Sequence, residues 1–352
     1  MTQTAPDGVD LARLERFFTE HVEGASGPLS AELISGGRSN LTYAVSDRDH
    51  VWVLRRPPLG HVLPTAHDMA REFRVIRALA GSSVPVPRAL AFCDDVAVND
   101  APFYVMERVD GRILRTQADL EGISRDEARR CSDALVDVLA ALHSIDADAV
   151  GLGDFGRPDG FVERNVRRWG KQWEASRDAG CPDSPAIDEL ARRLTAELPP
   201  SPRGTIVHGD YRLDNTMVAN DDAGRVVAVL DWEMSTLGDP LADVGLFLLY
   251  WGQADAQVIA TGGVISPALG FATREEVIDR YARATGIDLS WLDWYEVFAS
   301  YKLAIIVAGI HARYLMGQTR GDGFDHMGAM VSALADGAVE LASRSSIATL
   351  RG

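Results

Sequence analysis

The first third of the chain changes from helical to strand-like spacing of its apolar residues. Between residues 11 and 22, apolar side chains recur every three or four positions, which predicts an opening amphipathic helix. Residues 29–34, 41–45 and 51–54 then form short apolar runs separated by Gly, Ser, Asp and Pro. Short runs of this kind, placed one after another, predict an antiparallel sheet.

A helix and further strands complete the predicted first unit. Residues 67–80 have apolar side chains on one helical face, and residues 103–107 read as a strand that returns to the sheet. The pattern turns mainly helical after Asp110-Gly111. The sequence therefore predicts an α+β protein with a smaller N-terminal lobe, residues 1–110, and a larger C-terminal lobe, residues 111–352.

The second unit carries clear helix-start signals and few strands. Ser124 with Glu127, and Thr273 with Glu276, have the spacing of capping boxes, in which each side chain satisfies a free backbone N–H of the first turn. Strand-like segments are expected in this unit only at three places. These are residues 204–208, 216–218 and 226–230.

Charge and hydropathy exclude several classes of function. The chain has 352 residues and a net charge of −16, so we expect no nucleic-acid partner, because such binding depends on Lys and Arg neutralising phosphates. The longest apolar runs, Val244–Trp251 and Leu303–Ile310, are far shorter than the ~18–20 residues that span a bilayer. We therefore expect buried helices, no membrane partner and a cytoplasmic location.

The segment His208–Asn215, HGDYRLDN, contains the groups that phosphoryl transfer to a hydroxyl requires. Asp210 is the candidate base that accepts or orients the hydroxyl proton. Asn215 and Asp231, which ends an apolar strand, are candidate oxygen ligands of Mg²⁺. Arg212 adds positive charge two residues from the base and is a candidate for stabilising the transferred group.

Together, HGDYRLDN and the later Asp231-Trp232-Glu233 resemble the aminoglycoside phosphotransferase/choline kinase family. The resemblance extends over nearly the whole chain. It implies a two-lobed protein-kinase-like fold, with a small antiparallel-sheet N-lobe and a larger, mainly helical C-lobe. It also implies ATP and Mg²⁺ as cofactors and a small molecule with a hydroxyl group as the substrate.

A glycine-rich turn is expected to cover the nucleotide. Gly36, Gly37, Ser39 and Asn40 lie between two predicted strands, as the family's nucleotide-covering turn does. The segment is not a complete GxGxxG motif. Its backbone N–H groups are nevertheless suited to holding phosphates.

The resemblance also assigns the remaining nucleotide contacts. Arg55 on the third strand takes the position of the family's phosphate-orienting cation, with Arg56 as the competing assignment. Glu72 on the following helix is expected to pair with that cation. The Glu107 carbonyl and the Val109 N–H are expected to meet the edge of the adenine.

A narrower resemblance concerns the acceptor. Residues 53–79 and 103–114 are similar to kinases fused to, or encoded near, acyl-CoA dehydrogenases, a subgroup associated with hydroxylated acids or their CoA esters. We expect no dehydrogenase activity, because no flavin-site sequence is present. An aminoglycoside-type acceptor and an inactive nucleotide-binding scaffold are the alternatives.

Several roles stay open at this level. Glu233 is a candidate for binding metal or substrate, or for fixing the loop. Asp243 is either catalytic or structural, whereas Asp239 followed by Pro240 is typical of a helix N-cap. His208 is expected to bridge the catalytic loop to the Asp231 segment. An apolar pocket between residues 244 and 316 would favour acyl acceptors, and one rich in carboxylates would favour cationic sugars.

Overall fold

The computed structural model describes residues 5–35, 40–59, 68–200, 204–251, 265–317, 324 and 326–352. Within these residues it is an α+β protein, with one five-stranded antiparallel sheet in the N-terminal part and mainly helices beyond. The predicted α+β class, with a small antiparallel sheet followed by a larger, mainly helical part, is confirmed.

The N-terminal part is built around one sheet. Its strand order is β1-β2-β3-β5-β4, and every neighbouring pair is antiparallel. The predicted elements are present with small shifts at their ends. They are α1 (Leu11–His21), β1 (Ser30–Ser35), β2 (Leu41–Ser46), β3 (Val51–Arg56), α2 (Met69–Leu79) and β5 (Phe103–Glu107). Two further elements, β4 (Ala89–Cys93) and the short helix α3 (Val96–Asn99), lie between α2 and β5.

The two faces of this sheet belong to different cores. On one face, Phe18 of α1 packs edge-on against Trp52 of β3, inside a cluster that is confined to the N-terminal part. On the other face, Val53 and Tyr104 join α2 in a second cluster that continues into the helical part. Because strand side chains alternate between faces, the helix α2 and the inner face together form the wall that faces the C-terminal part.

The C-terminal part is mainly helical. Both predicted capping boxes are present, Ser124–Glu127 and Thr273–Glu276. Short 3₁₀ helices lie at residues 118–120, 213–215, 232–234 and 267–269. The α-helices are α4 (Arg125–Ser144), α5 (Phe161–Asp178), α6 (Pro185–Ala196), α7 (Pro240–Leu249), α8 (Arg274–Thr285), α9 (Leu292–Leu315), α10 (Met327–Ser343) and α11 (Ala348–Arg351).

Two small ribbons hold the segment between α6 and α7. β7 (Thr216–Val218) pairs with β8 (Val226–Val229), and β6 (Thr205–Val207) pairs with β9 (Thr236–Gly238). The sequence analysis expected no strand at β9, and that expectation was wrong. Three residues are too few for an alternating pattern, so only the pairing with β6 defines this strand.

The long apolar runs are buried helices, as predicted. The first lies mostly in α7, and the second lies in α9, which packs against α5, α6, α7 and α10. In the described part of the chain, no helix is long and apolar enough to cross a membrane. The lobe boundary at Asp110-Gly111 remains a prediction. Just past it, Arg112 forms an isolated bridge with Val218.

Candidate active site

Asp210 lies in the loop between β6 and the 3₁₀ helix at residues 213–215. The side-chain amide of Asn215 donates to the Asp210 carboxylate (2.9 Å) and to the Asp210 carbonyl (2.8 Å). Five residues of a tight loop therefore bring the two predicted side chains together. The Asn215 nitrogen is used by Asp210, so its amide oxygen is the atom available to a cation.

The buried carboxylate of Asp243 holds the backbone of this loop. It accepts hydrogen bonds from the N–H groups of His208 (2.6 Å) and Gly209 (2.7 Å), and His143 Nε2 lies 3.3 Å away. Burial by itself would raise the pKa of Asp243, but the His143 hydrogen bond and the nearby His208 outweigh it and lower the pKa. Asp243 therefore fixes the backbone just before Asp210, and this contact favours the structural one of the two roles that the sequence left open.

His208 joins the loop to the Asp231 segment, as expected. Its Nε2 lies 2.9 Å from the Leu230 carbonyl, and the Leu230 N–H donates to the Asn215 carbonyl (2.8 Å). Asp231 itself has φ 64° and ψ 60°. The left-handed conformation is uncommon for a residue other than glycine and costs of order 1–3 kcal/mol, so the surrounding structure must hold it in place.

Arg55 and Glu72 form the predicted ion pair. Arg55 Nε donates to Glu72 (2.9 Å), and its Nη2 contacts both Glu72 (3.2 Å) and Asp231. Burial alone would lower the pKa of Arg55, but the Glu72 carboxylate and Asp231 reverse this and raise it. Tyr104, which the sequence analysis did not identify, also donates to Glu72 (3.0 Å).

The register of the sheet decides between the two arginines. Arg55 pairs with Thr42 on β2 and with Tyr104 on β5, so these side chains share the inner face. Arg56 points to the opposite face, where its guanidinium donates to the carbonyls of Gly8 and Asn99. Of the two candidates, only Arg55 contacts Glu72 and Asp231.

Three carboxylates lie close enough together to hold a cation. Oxygen atoms of Glu72, Asp231 and Glu233 all lie within 4.8 Å of one another. Asn40 donates to Glu233 (3.2 Å), and its buried Oδ1 has no hydrogen-bond partner among the described residues. An oxygen-only donor set of this kind fits Mg²⁺, which prefers hard oxygen ligands.

Arg212 is held beside Asp210 by its own neighbours. Its Nη2 lies 2.8 Å from Asp214 and its guanidinium stacks 4.9 Å above the Tyr250 ring, whereas its Nε is 3.8 Å from Asp210. Burial raises the pKa of Asp214 to about 6, although Arg212 opposes that effect. The Arg212 charge is thus fixed near the candidate base and is partly balanced by Asp214.

Of the remaining predicted nucleotide contacts, one group lies outside the described residues and the other lies at the end of β5. Gly36, Gly37 and Ser39 lie outside the described residues. Glu107 ends β5, and its side chain accepts from the Arg88 N–H (2.9 Å). Val109 is part of the connection from β5 to the helical part.

A cleft of about 1070 Å³ begins at the catalytic loop and extends along α5. Gly209 and Glu233 line its inner end, and Lys302 of α9 lies between them and the α5 wall. Seven basic side chains and two carboxylates line the described part of this cleft. The pocket is therefore basic. The sequence analysis had considered an apolar pocket and a pocket rich in carboxylates, but not a basic one.

Lys302 is the main residue that the sequence analysis missed. Its Nζ donates to the Gly209 carbonyl (3.1 Å) and lies 5.7 Å from the Trp169 ring. Burial lowers its pKa, while Asp210 and Asp243 act in the opposite direction.

A single lysine inside an apolar helix does not show, from the sequence alone, that it lies in a functional site. In contrast, Arg164, Arg167, Arg168 and Lys171 follow a visible helical spacing on α5.

The comparisons with known proteins agree with this geometry. Residues 30–295 match the phosphotransferase enzyme family. The chain therefore belongs to that family of phosphotransferase enzymes.

Its relatives include larger proteins with a different name. Acyl-CoA dehydrogenase family member 11 of Rattus norvegicus is 36% identical over 343 residues, which cover 95% of this chain and 43% of that protein. Family member 10 of Mus musculus is 35% identical over 324 residues, which cover 91% of this chain and 30% of that protein. The chain thus spans less than half the length of these relatives.

Solved structures share the fold. A protein of Ralstonia eutropha, provisionally named an aminoglycoside phosphotransferase, is 35% identical, with a TM-score of 0.84 over 96% of this chain and 99% of that one. Aminoglycoside phosphotransferase APH(4)-Ia, crystallised with AMP-PNP and hygromycin B, is 17% identical, with a TM-score of 0.60 over 94% of this chain and 99% of that one. The second likeness concerns the fold alone.

Proposed function

We propose that this protein transfers the γ-phosphoryl group of ATP to a hydroxyl group of a small-molecule acceptor. The observation that carries the proposal is the Asp210–Asn215 pair, held by Asp243 beside Asp231 and the Arg55–Glu72 ion pair. Asp210 is partly exposed, so an acceptor hydroxyl can reach its carboxylate. In the proposed mechanism Asp210 orients that hydroxyl and accepts its proton.

The nucleotide is held, in this proposal, by groups of the N-terminal part. Backbone N–H groups of Gly36, Gly37 and Ser39 cover the phosphates, and Asn40 fixes the end of that turn through Glu233. Arg55 orients the α- and β-phosphates while Glu72 fixes its guanidinium. The adenine edge is taken by the backbone of residues 107 and 109.

Two residues of the C-terminal part are proposed to hold Mg²⁺. They are Asn215, through its amide oxygen, and Asp231, with Glu72 and Glu233 close by. When bound, the cation neutralises charge on the phosphates and fixes their orientation. Asp231 contacts Arg55, so this residue couples the cation site to the phosphate-orienting arginine.

Arg212 is proposed to stabilise the charge of the transferred group. Its guanidinium is fixed by Asp214 and Tyr250, so it needs little rearrangement during the reaction. A preorganised charge of this kind acts on the transition state without losing side-chain freedom at that moment. Positioning and electrostatics then supply most of the rate.

The finer proposal for the acceptor is a hydroxy acid or a hydroxyacyl-CoA. It is supported by similarity, over almost the whole chain, to proteins named acyl-CoA dehydrogenase family members. An aminoglycoside-type acceptor is the second candidate, because structural neighbours were crystallised with hygromycin B and kanamycin. The basic cleft favours the first candidate, since it repels a cationic sugar.

The test is ATP consumption with Mg²⁺ over a panel of acceptors, with mass spectrometry of each product. The panel contains hydroxy acids, hydroxyacyl-CoA esters, choline, homoserine and aminoglycosides. We expect one class to gain a phosphoryl group, and we expect Asp210→Asn to lower turnover by about 10²–10⁴-fold. Asp221→Asn, in an exposed turn, is the matched control and should be unchanged.

Two results would contradict the proposal. Turnover of Asp210→Asn within about tenfold of wild type would remove the base assignment. A protein that binds Mg²⁺-ATP and phosphorylates no member of the panel would instead support an inactive nucleotide-binding scaffold.

A further inference from the structure

Cationic side chains that form no ion pair with the described part of the chain lie along the cleft. Arg167, Arg168 and Lys171 of α5 line the cleft. Among the described residues, the ion pairs of α5 with carboxylates are made by Arg177 and not by these three. They are exposed and lie on one side of the helix with Arg164. Side chains of like charge placed side by side repel each other, so this arrangement costs energy unless an anion lies between them.

In contrast, arginines on helices α4 and α8 form ion pairs with carboxylates of the facing helix. Arg129 of α4 contacts Glu276 of α8 (2.7 Å), and Arg280 of α8 contacts Asp137 of α4 (2.6 Å). The whole chain has 51 acidic and 35 basic residues, so partners are abundant on its surface. In such an acidic chain, cations that have no carboxylate partner within the described ranges indicate that the cleft is suited to an anion from outside the chain.

Lys302 extends this positive charge to the catalytic loop. It lies in the same cleft, and Arg168 is close enough to repel its ammonium group. The acidic groups that face it are Asp210 and Asp243. Asp243 is already occupied by His143 and by two backbone N–H groups of the loop. Lys302 therefore lies between the candidate base and the α5 cations.

We propose that this cleft is an anion-binding subsite for the acceptor, with Lys302 as the inner cation and Arg168 and Lys171 as the outer ones. The proposal rests on the proposed function and extends it by naming the acceptor's chemical class. The acceptor carries a carboxylate or a phosphate at a distance from its reacting hydroxyl. Lys302 and α5 bind that group, which directs the hydroxyl toward Asp210.

The experiment measures direct binding by isothermal titration calorimetry, on the full chain saturated with AMP-PNP and Mg²⁺. The probes are 3-hydroxybutyrate for a carboxylate, glycerol 2-phosphate for a phosphate, and kanamycin for a cation. We expect at least one anion to bind more tightly than kanamycin. Binding of only one anion would identify which of the two groups the acceptor carries.

Substitutions then locate the site. Arg168→Gln/Lys171→Gln should weaken anion binding by about tenfold or more, because two positive charges that face the anion are removed. Lys302→Met should have a similar effect. Arg225→Gln, which removes an exposed arginine of the 221–225 turn, is the matched control and should bind like wild type.

Three results would overturn the proposal. They are no binding of either anion, tighter binding of kanamycin than of both anions, and equal anion affinity in the α5 double variant and in wild type. Both α5 side chains are exposed, so their loss should leave the fold intact even where Lys302→Met does not fold.

Failure of the proposed function is separable from failure of the subsite. Asp210→Asn should bind the anion at least as tightly as wild type, because it removes a negative charge near Lys302. Anion binding without phosphoryl transfer would support the subsite and contradict the reaction. Transfer to an acceptor without an anionic group would support the reaction and contradict the subsite.

Discussion

The proposed nucleotide side and the proposed acceptor side of the site differ in whether their basic side chains form ion pairs. On the nucleotide side, the buried Arg55 is shared between Glu72 and Asp231, so its charge is balanced within the chain. On the acceptor side, Arg168 and Lys171 have no carboxylate partner among the described residues. On the nucleotide side, positive and negative side chains neutralise one another. On the acceptor side, the positive charge stays available to a ligand.

The difference follows from what each region has to do before a ligand arrives. A buried charge needs a partner because desolvation costs several kcal/mol for each ion. An exposed charge keeps most of its hydration, so it can remain without a partner in the chain until a ligand binds. The ion pairs of Arg55 therefore contribute to folding, and the α5 cations contribute mainly to ligand recognition. Substitutions on each side can test this comparison.

The largest effect on stability is expected at Arg55. Arg55→Met leaves the buried Glu72 carboxylate without its cation, and we expect a loss of about 3–5 kcal/mol in the free energy of unfolding. Urea unfolding measures the change. Adding Glu72→Gln to this variant should recover part of the loss, since the unpaired carboxylate is removed. A loss below about 0.5 kcal/mol would contradict the comparison.

The next effect is a pH dependence at Asp214. Its pKa is raised from 3.8 to about 6 in the folded protein, so the folded state retains the proton that the unfolded state has lost. The free energy of unfolding therefore falls as pH rises from about 4 to about 6, by at most about 3 kcal/mol from this group. Asp214→Asn lacks this titration.

Chemical unfolding of both proteins across that pH window provides the measurement. The stability of wild type relative to Asp214→Asn should decrease through the window and then become constant above pH about 6. A difference that does not vary with pH would show that Asp214 titrates normally.

A smaller effect is expected at Gly209, which precedes Asp210 and whose carbonyl accepts a hydrogen bond from Lys302. Its φ is 83°, and a Cβ there would lie 2.6 Å from the Met234 carbonyl oxygen, so Gly209→Ala should cost about 1–3 kcal/mol and displace Asp210. Gly151→Ala is the control, because Gly151 has φ 75° and open space around a Cβ. Equal losses in the two variants would exclude the Met234 contact as a cause.

The smallest effect is expected on the acceptor side. Arg168→Gln should change the free energy of unfolding by less than about 0.5 kcal/mol, because Arg168 has no carboxylate partner among the described residues. Thermal or urea unfolding beside Arg55→Met tests this directly. A loss comparable to that of Arg55→Met would mean that both sides are compensated networks.

Short-range neighbours in the candidate site could be predicted from the sequence. Asp210 and Asn215 are five residues apart in one tight loop, so their meeting depends on few other parts of the chain. The capping boxes were readable for the same reason, since both partners lie within one helical turn. The roles assigned to these catalytic residues remain predictions.

Longer-range relations were only partly readable. The periodicity predicted the strands, but it could not decide between Arg55 and Arg56, which point to opposite faces of β3. That choice depends on the register with β2 and β5, where the residues opposite Arg55 are Thr42 and Tyr104. The sequence left Arg55 and Arg56 as alternatives, and the sheet register places Arg55 beside Glu72 and Asp231.

The sequence by itself determined the α+β architecture, with a small antiparallel sheet followed by helices, and the tight loop that brings Asp210 and Asn215 together. The tertiary structure alone decided that Asp243 of α7 holds the loop and that Lys302 of α9 reaches Gly209. These side chains lie 34 and 93 residues from the glycine that they contact. Such contacts are made only when the helices pack, because no local pattern encodes which distant backbone a buried charge will meet.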